Sequence, residues 1–101
     1  MQRMKFFVDT HDVRTGTFPA GITRDQFAEF HPKYEEACRA ENVVNLRIHV
    51  GFEEGRAFCF NMAPDAEAVR RAHARVGLPI GEITEVTTAT PGDLFFASQP
   101  A

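Results

Sequence analysis

Hydrophobic and polar positions alternate with a period of two along four stretches of the chain and with a helical period along two others. Met4 to His11 sets Met4, Phe6 and Val8 against Lys5, Phe7, Asp9 and His11, which predicts a first strand. After a loop from Asp12 to Ala20, Phe27, Phe30, Tyr34, Ala37 and Cys38 recur at helical spacing. Thr23 and Gln26 ahead of that stripe have the spacing of a capping box, with Ile22 as its hydrophobic staple. Pro32 falls inside the stripe, so the pattern predicts either a kinked helix or two short ones. Val43 to Gly51 reads as a second strand, with Val44, Leu46, Ile48 and Val50 against Asn45, Arg47 and His49. A turn of hairpin length, Phe52-Glu53-Glu54-Gly55, leads to a third strand with Phe58, Phe60 and Met62 against Ala57, Cys59 and Asn61. A second helix is expected to start with Pro64 at its first position and to close at Gly77, with Leu78 and Pro79 beyond. Ile83 to Thr90 is the fourth strand, whose phase the pattern leaves open.

This order is βαββαβ, which predicts an α+β, ferredoxin-like domain: a four-stranded antiparallel sheet with two helices on one face. One domain spans residues 1–101, with a core over about 4–90 and a tail over 91–101 that carries the apolar run Leu94-Phe95-Phe96. The more apolar strand faces are expected to meet the helices. The opposite face, carrying Phe7, Asp9, His11, Arg47, His49, Ala57, Cys59 and Asn61, is then expected to be open.

Charge and composition remove several classes of function. A formal charge of −3 over 101 residues argues against general nucleic-acid binding, which needs a basic face. No apolar run approaches the ~20 residues of a membrane span, and the first residues lack the long apolar stretch of a signal peptide. Two cysteines make no disulfide framework, which points to a cytoplasmic, reducing setting. Ser98 is the only serine and lies in the tail, so no serine triad arises, and no glycine-rich phosphate loop is present.

The chemistry that remains lies on the predicted open face. Asp9 and His11 are two apart on one strand, ~7 Å at ~3.3 Å per residue. Side chains on adjacent strands approach to ~4.5–5.5 Å at Cβ, which brings Cys59 within reach of Asp9 or His11, and His49 within reach of Cys59. Imidazole, thiolate and carboxylate are ligands of borderline transition metals. The candidate metal ligands are therefore His11, His49, Cys59 and Asp9, with Arg47, Asn61, Glu85 and His73 as supporting or ligand-binding residues. Set against this, an open antiparallel face is polar for solvation alone, or for a dimer interface. His73, on the inward stripe with Val69, Ala72 and Val76, reads first as a packed, hydrogen-bonded histidine. Cys38 is expected in the core on the helix side and Cys59 on the open side, too far apart for a disulfide. A second function uses the same residues: a cofactor-free enzyme built as a dimeric α+β barrel, with Asp9, His11 and His49 as acid–base groups and Arg47 binding a carboxylate or enolate. A third is a stable dimer without chemistry of its own.

The stretch Gly55-Arg56-Ala57-Phe58-Cys59-Phe60, then Ala63-Pro64-Asp65-Ala66-Glu67-Ala68-Val69, His73, Gly77-Leu78-Pro79 and Ile83-Thr84-Glu85-Val86 resembles a family of small bacterial proteins. That family was first known as a domain of unknown function and includes an actinobacterial nickel-binding protein. The resemblance covers most of Met4 to Thr90 and is strongest over Arg56 to Val86. It implies a ferredoxin-like homodimer and nickel, or another divalent transition metal, bound for storage, buffering or sensing. It does not designate ligands residue by residue.

Overall fold

A computed structural model describes residues 3–87. Strand β1 (Lys5–Asp12) runs into a short 3-10 turn (Val13–Thr15), followed by helix α1 (Arg24–Ala40), strands β2 (Val44–Gly51) and β3 (Arg56–Ala63), helix α2 (Ala66–Arg75) and strand β4 (Ile83–Val86). The strands form one sheet in the order β2-β3-β1-β4, and every neighbouring pair is antiparallel. This is the ferredoxin-like α+β fold predicted from the alternation of periods. Residues 88–90 of the predicted fourth strand and the tail with Leu94-Phe95-Phe96 lie outside the described residues.

Both helices start on side-chain caps. The Gln26 amide donates to Thr23 Oγ1 at 3.1 Å and the Thr23 amide to Gln26 Oε1 at 2.9 Å, completing the capping box. Helix α1 then runs as one 17-residue element through Pro32. At α2 the cap is Asp65, which accepts from the Ala68 amide at 2.8 Å, so Pro64 precedes the cap instead of holding the first helical position. Gly77, at φ +67°, ends α2. Its amide reaches Ala74 O at 3.1 Å, and the Leu78 amide reaches His73 O at 3.0 Å. This is a Schellman closure, and it turns the chain sharply back toward the sheet at Pro79.

The helices cover the face that alternation alone predicted to be open. Phe7, Cys59 and Ala63 join Tyr34 and Cys38 of α1 and Ala68, Val69 and Ala72 of α2 in one buried cluster. Among the described residues no helix covers the face bearing Phe6, Val8, Phe58, Phe60 and Met62, and its residues are only half-buried, with Phe6 stacked on Phe60 at 5.7 Å between ring centres. Side-chain size accounts for the choice. Ala57, Cys59 and Ala63 are small enough for two helices to approach the strands, where Phe58, Phe60 and Met62 would hold them off. Cys38 and Cys59 therefore share one core, both as free thiols, instead of facing opposite sides.

A β-bulge moves part of β2 as well. The β2–β3 register shifts between Asn45 and Arg47, leaving Leu46 as the extra residue. Val44 pairs with Met62 on the outer face, whereas Ile48 pairs with Cys59 and Val50 with Ala57 on the helix side. Beyond the bulge Arg47 pairs with Phe60 and His49 with Phe58, both on the outer face. Strand β4 acquires its phase from β1: Ile83 opposes Asp9 and Glu85 opposes Phe7, with Thr84 and Val86 turned outward beside Val8 and Phe6.

Candidate metal centre

Asp9 and Cys59 are directly opposed on β1 and β3, and His11 lies one same-face position along β1, opposite Ala57. Alternation along a strand places Asp9 and His11 on one face, and the inverted packing buries both beneath the helices. Helix α2 lowers His73 onto the same spot from above. His11 and His73 stack with ring centres 5.2 Å apart, and Tyr34 of α1 meets His73 edge-on at 5.0 Å. Asp9, His11, Cys59 and His73 are all buried, and each offers one ligating atom, all within 4.8 Å of one another.

Backbone carbonyls determine how the two imidazoles present themselves. His11 Nδ1 faces Pro79 O at 2.8 Å and Thr17 O at 3.1 Å. His73 Nδ1 faces Val69 O, one helical turn back, at 2.8 Å. A carbonyl oxygen only accepts, so both Nδ1 atoms carry hydrogen and both Nε2 atoms are aimed at the carboxylate. His11 Nε2 lies 2.7 Å from Asp9 Oδ1, and His73 Nε2 lies 3.2 Å from the same oxygen. His73 Nε2 is buried yet not aligned to hydrogen-bond with any neighbour among the described residues. Two ring nitrogens and a carboxylate oxygen, all lone-pair bearing in their neutral-imidazole and ionised forms, thus converge on one point. Only a cation, whether proton or metal ion, reconciles them.

The surroundings hold this arrangement in place. Asp9 Oδ2 accepts from Asn61 Nδ2 at 2.9 Å. Asn61 Oδ1 accepts from Asn45 Nδ2 at 2.8 Å, and Asn45 Oδ1 accepts from His31 Nε2 at 3.2 Å, so a chain of polar side chains leads from the buried carboxylate toward α1. Burial alone would push the Asp9 carboxyl upward, but the hydrogen bond with His11 and the close approach of His73 outweigh it and hold the group below its usual value. Burial, reinforced by the Asp9 carboxylate, pushes the Cys59 thiol well above its ordinary value, and burial pushes Cys38 up to about 11. Neither cysteine is a thiolate at neutral pH without a bound cation.

Three of the four ligands predicted from sequence, Asp9, His11 and Cys59, are brought together here. His49 is not: the bulge at Leu46 turns it onto the exposed outer face opposite Phe58. Arg47 is likewise on the outer face, so the predicted acid–base trio of Asp9, His11 and His49 with Arg47 is not assembled. Glu85 is exposed and pairs with Lys5 at 4.0 Å, away from the cluster. Asn61 supports Asp9 as a hydrogen-bond donor. His73, expected to be a packed histidine, is both packed and the fourth member of the cluster. The signal for it in the sequence is an imidazole on the buried stripe of a helix that crosses a strand carrying Asp9.

The model of the family described as nickel responsive protein SCO4226-like matches residues 7–86. No curated protein matches the chain. Among solved structures, SCO4226 from Streptomyces coelicolor A3(2) is 33% identical, with a TM-score of 0.72, and the match covers 84% of this chain and 99% of that one.

Proposed function

The chain belongs to the SCO4226-like family of nickel responsive proteins, and from that premise we propose that Asp9, His11, Cys59 and His73 bind one divalent transition metal ion, nickel first among them. The observation that carries this reading is the convergence of two carbonyl-anchored imidazoles on one carboxylate oxygen, with His73 Nε2 left without a hydrogen-bond partner. Tying Nδ1 to a backbone carbonyl is how proteins orient a ligating histidine through Nε2. Two imidazoles, a thiol and a carboxylate suit Ni(II), Zn(II), Co(II) or Cu(II), and family membership favours nickel. The role is storage, buffering or sensing in a reducing, cytoplasmic setting, consistent with two free thiols. Among the described residues no helix is long and apolar enough to cross a membrane.

Binding is expected to release protons. The Cys59 thiol, raised by burial, must give up its proton to ligate, and a proton in the Asp9–His11 contact must be displaced. Apparent affinity therefore rises with pH, by about tenfold per unit for each proton released. Nickel titration calorimetry at pH 6, 7 and 8, in buffers of differing ionisation heat, measures both the slope and the proton count. Affinity independent of pH would contradict thiol ligation.

The protein is further proposed to pair with a second copy through the outer sheet face. Supporting this, Val44 (45% exposed) and Leu46 (41% exposed) extend the half-buried patch around Phe6, Phe58 and Phe60, an apolar surface that a monomer would leave in water. A two-fold axis sets identical patches against each other. Sedimentation velocity is expected to give a dimer for the wild-type protein and a folded monomer for Phe60→Glu. A wild-type monomer at micromolar concentration would overturn the pairing.

A further inference from the structure

An apolar cavity of about 110 Å³ lies between α1, the sheet and the 16–23 loop. Phe18, Phe27, Phe30 and Ile48 line its body, and His11 and Cys59 stand in its wall. Two features separate it from a simple packing void. Its lining includes Ile22, Phe27, Phe30 and Ile48, which are only half-buried, so it reaches the surface through apolar side chains. Its loop wall is also tied to the cluster, because the Thr17 carbonyl beside Phe18 accepts from His11 Nδ1.

The lining determines what enters. A hydrated cation loses its water shell to nothing in a passage of phenyl and alkyl groups, so this is not the ion's route. A neutral apolar body gains by leaving water. A closed apolar cavity of ~150 Å³ takes up benzene or xenon, and the smaller space here, open at the surface, accepts a guest no larger than a single ring. We propose that the cavity binds a small neutral apolar molecule, its body among Phe18, Phe27 and Phe30 and one edge against the His11 ring and Cys59. Only the functional meaning rests on the metal reading: with an ion bound, such a guest would lie against two of its ligands.

Metal-free protein labelled at isoleucine methyls is titrated with benzene, phenol and benzoate and followed by NMR. Benzene is expected to shift the Ile22 and Ile48 methyls saturably, phenol to bind more weakly because no polar atom of the lining is free to take its hydroxyl, and benzoate, which is charged, to leave them unmoved. Ile48→Phe, which fills the space, is expected to weaken benzene binding at least tenfold. Phe30→Ala, which enlarges it, is expected to admit naphthalene. Absence of saturable shifts at Ile22 and Ile48 in the wild-type protein, or shifts confined to the outer face, would overturn the proposal. The outcomes are separable from those of the metal reading. Nickel binding without benzene binding overturns the cavity site alone, and benzene binding without nickel binding overturns the metal site alone.

Discussion

Replacing His73 by Ala is expected to abolish stoichiometric nickel binding while the fold persists. His73 contributes one of the four converging ligand atoms, and without it Asp9 loses a 3.2 Å contact but keeps its His11 and Asn61 partners. Loss of an outer partner of a ligand typically costs ~10–100-fold in affinity, so loss of a ligand itself is expected to cost more than about 100-fold. His11→Ala is expected to act in the same direction. His49→Ala is the internal control, since His49 stands on the opposite face of the sheet, and is expected to leave affinity within about twofold of wild type. Calorimetry on tag-free protein, with far-ultraviolet circular dichroism for the fold, makes the comparison. Undiminished binding by His73→Ala, or loss of binding by His49→Ala, would break the assignment.

The second large effect is on stability without metal. Asp9 is fully buried beneath α2 and is the shared partner of both imidazoles and of Asn61 Nδ2. Removing one partner of a buried ionic contact costs about 3–5 kcal/mol, since the groups left behind have no water to turn to. For a domain of this size that corresponds to a fall in Tm on the order of 20 °C. Asp9→Ala is therefore expected to lower the urea midpoint of the metal-free protein severely. The pH dependence has a definite sign. The native Asp9 carboxyl lies below its unfolded value near ~3.9, so its stabilising contribution is complete above that pH. It is lost as pH falls through the depressed native value. The wild-type acid limb should be steep below about pH 4, and that of Asp9→Ala shallower. A substitution costing less than about 1 kcal/mol would show that the cluster contributes little to the fold.

Element order and pairing could be read from sequence because each rests on local chemistry. The Thr23–Gln26 box, the Gly77 closure and the two periodicities each mark a boundary or an element, and the βαββαβ order then leaves few topologies. The faces could not be read in the same way. Alternation divides each strand into two sides without saying which side the helices take. When the outer face is itself apolar, the rule that helices cover the greasier side points the wrong way. Small residues on β3 — Ala57, Cys59 and Ala63 — were the better guide to helix approach. The bulge at Leu46 is invisible to alternation, because Val44, Leu46, Ile48 and Val50 look like one continuous apolar row. Because of that single inserted residue, His49 shares a side with Cys59 in the alternation pattern and is separated from it in the fold. His73 could be located on the inward stripe of α2, but its role depends on Asp9 being underneath, and so on the face assignment that alternation inverted.

Anomalous diffraction at the nickel edge from crystals of tag-free, nickel-loaded protein tests the central claim most directly. One peak per chain is expected, bounded by Asp9 Oδ1, His11 Nε2, His73 Nε2 and Cys59 Sγ. A peak at His31 or His49 on the protein's exterior, or no ordered peak at full loading, would contradict a buried metal centre between sheet and helix.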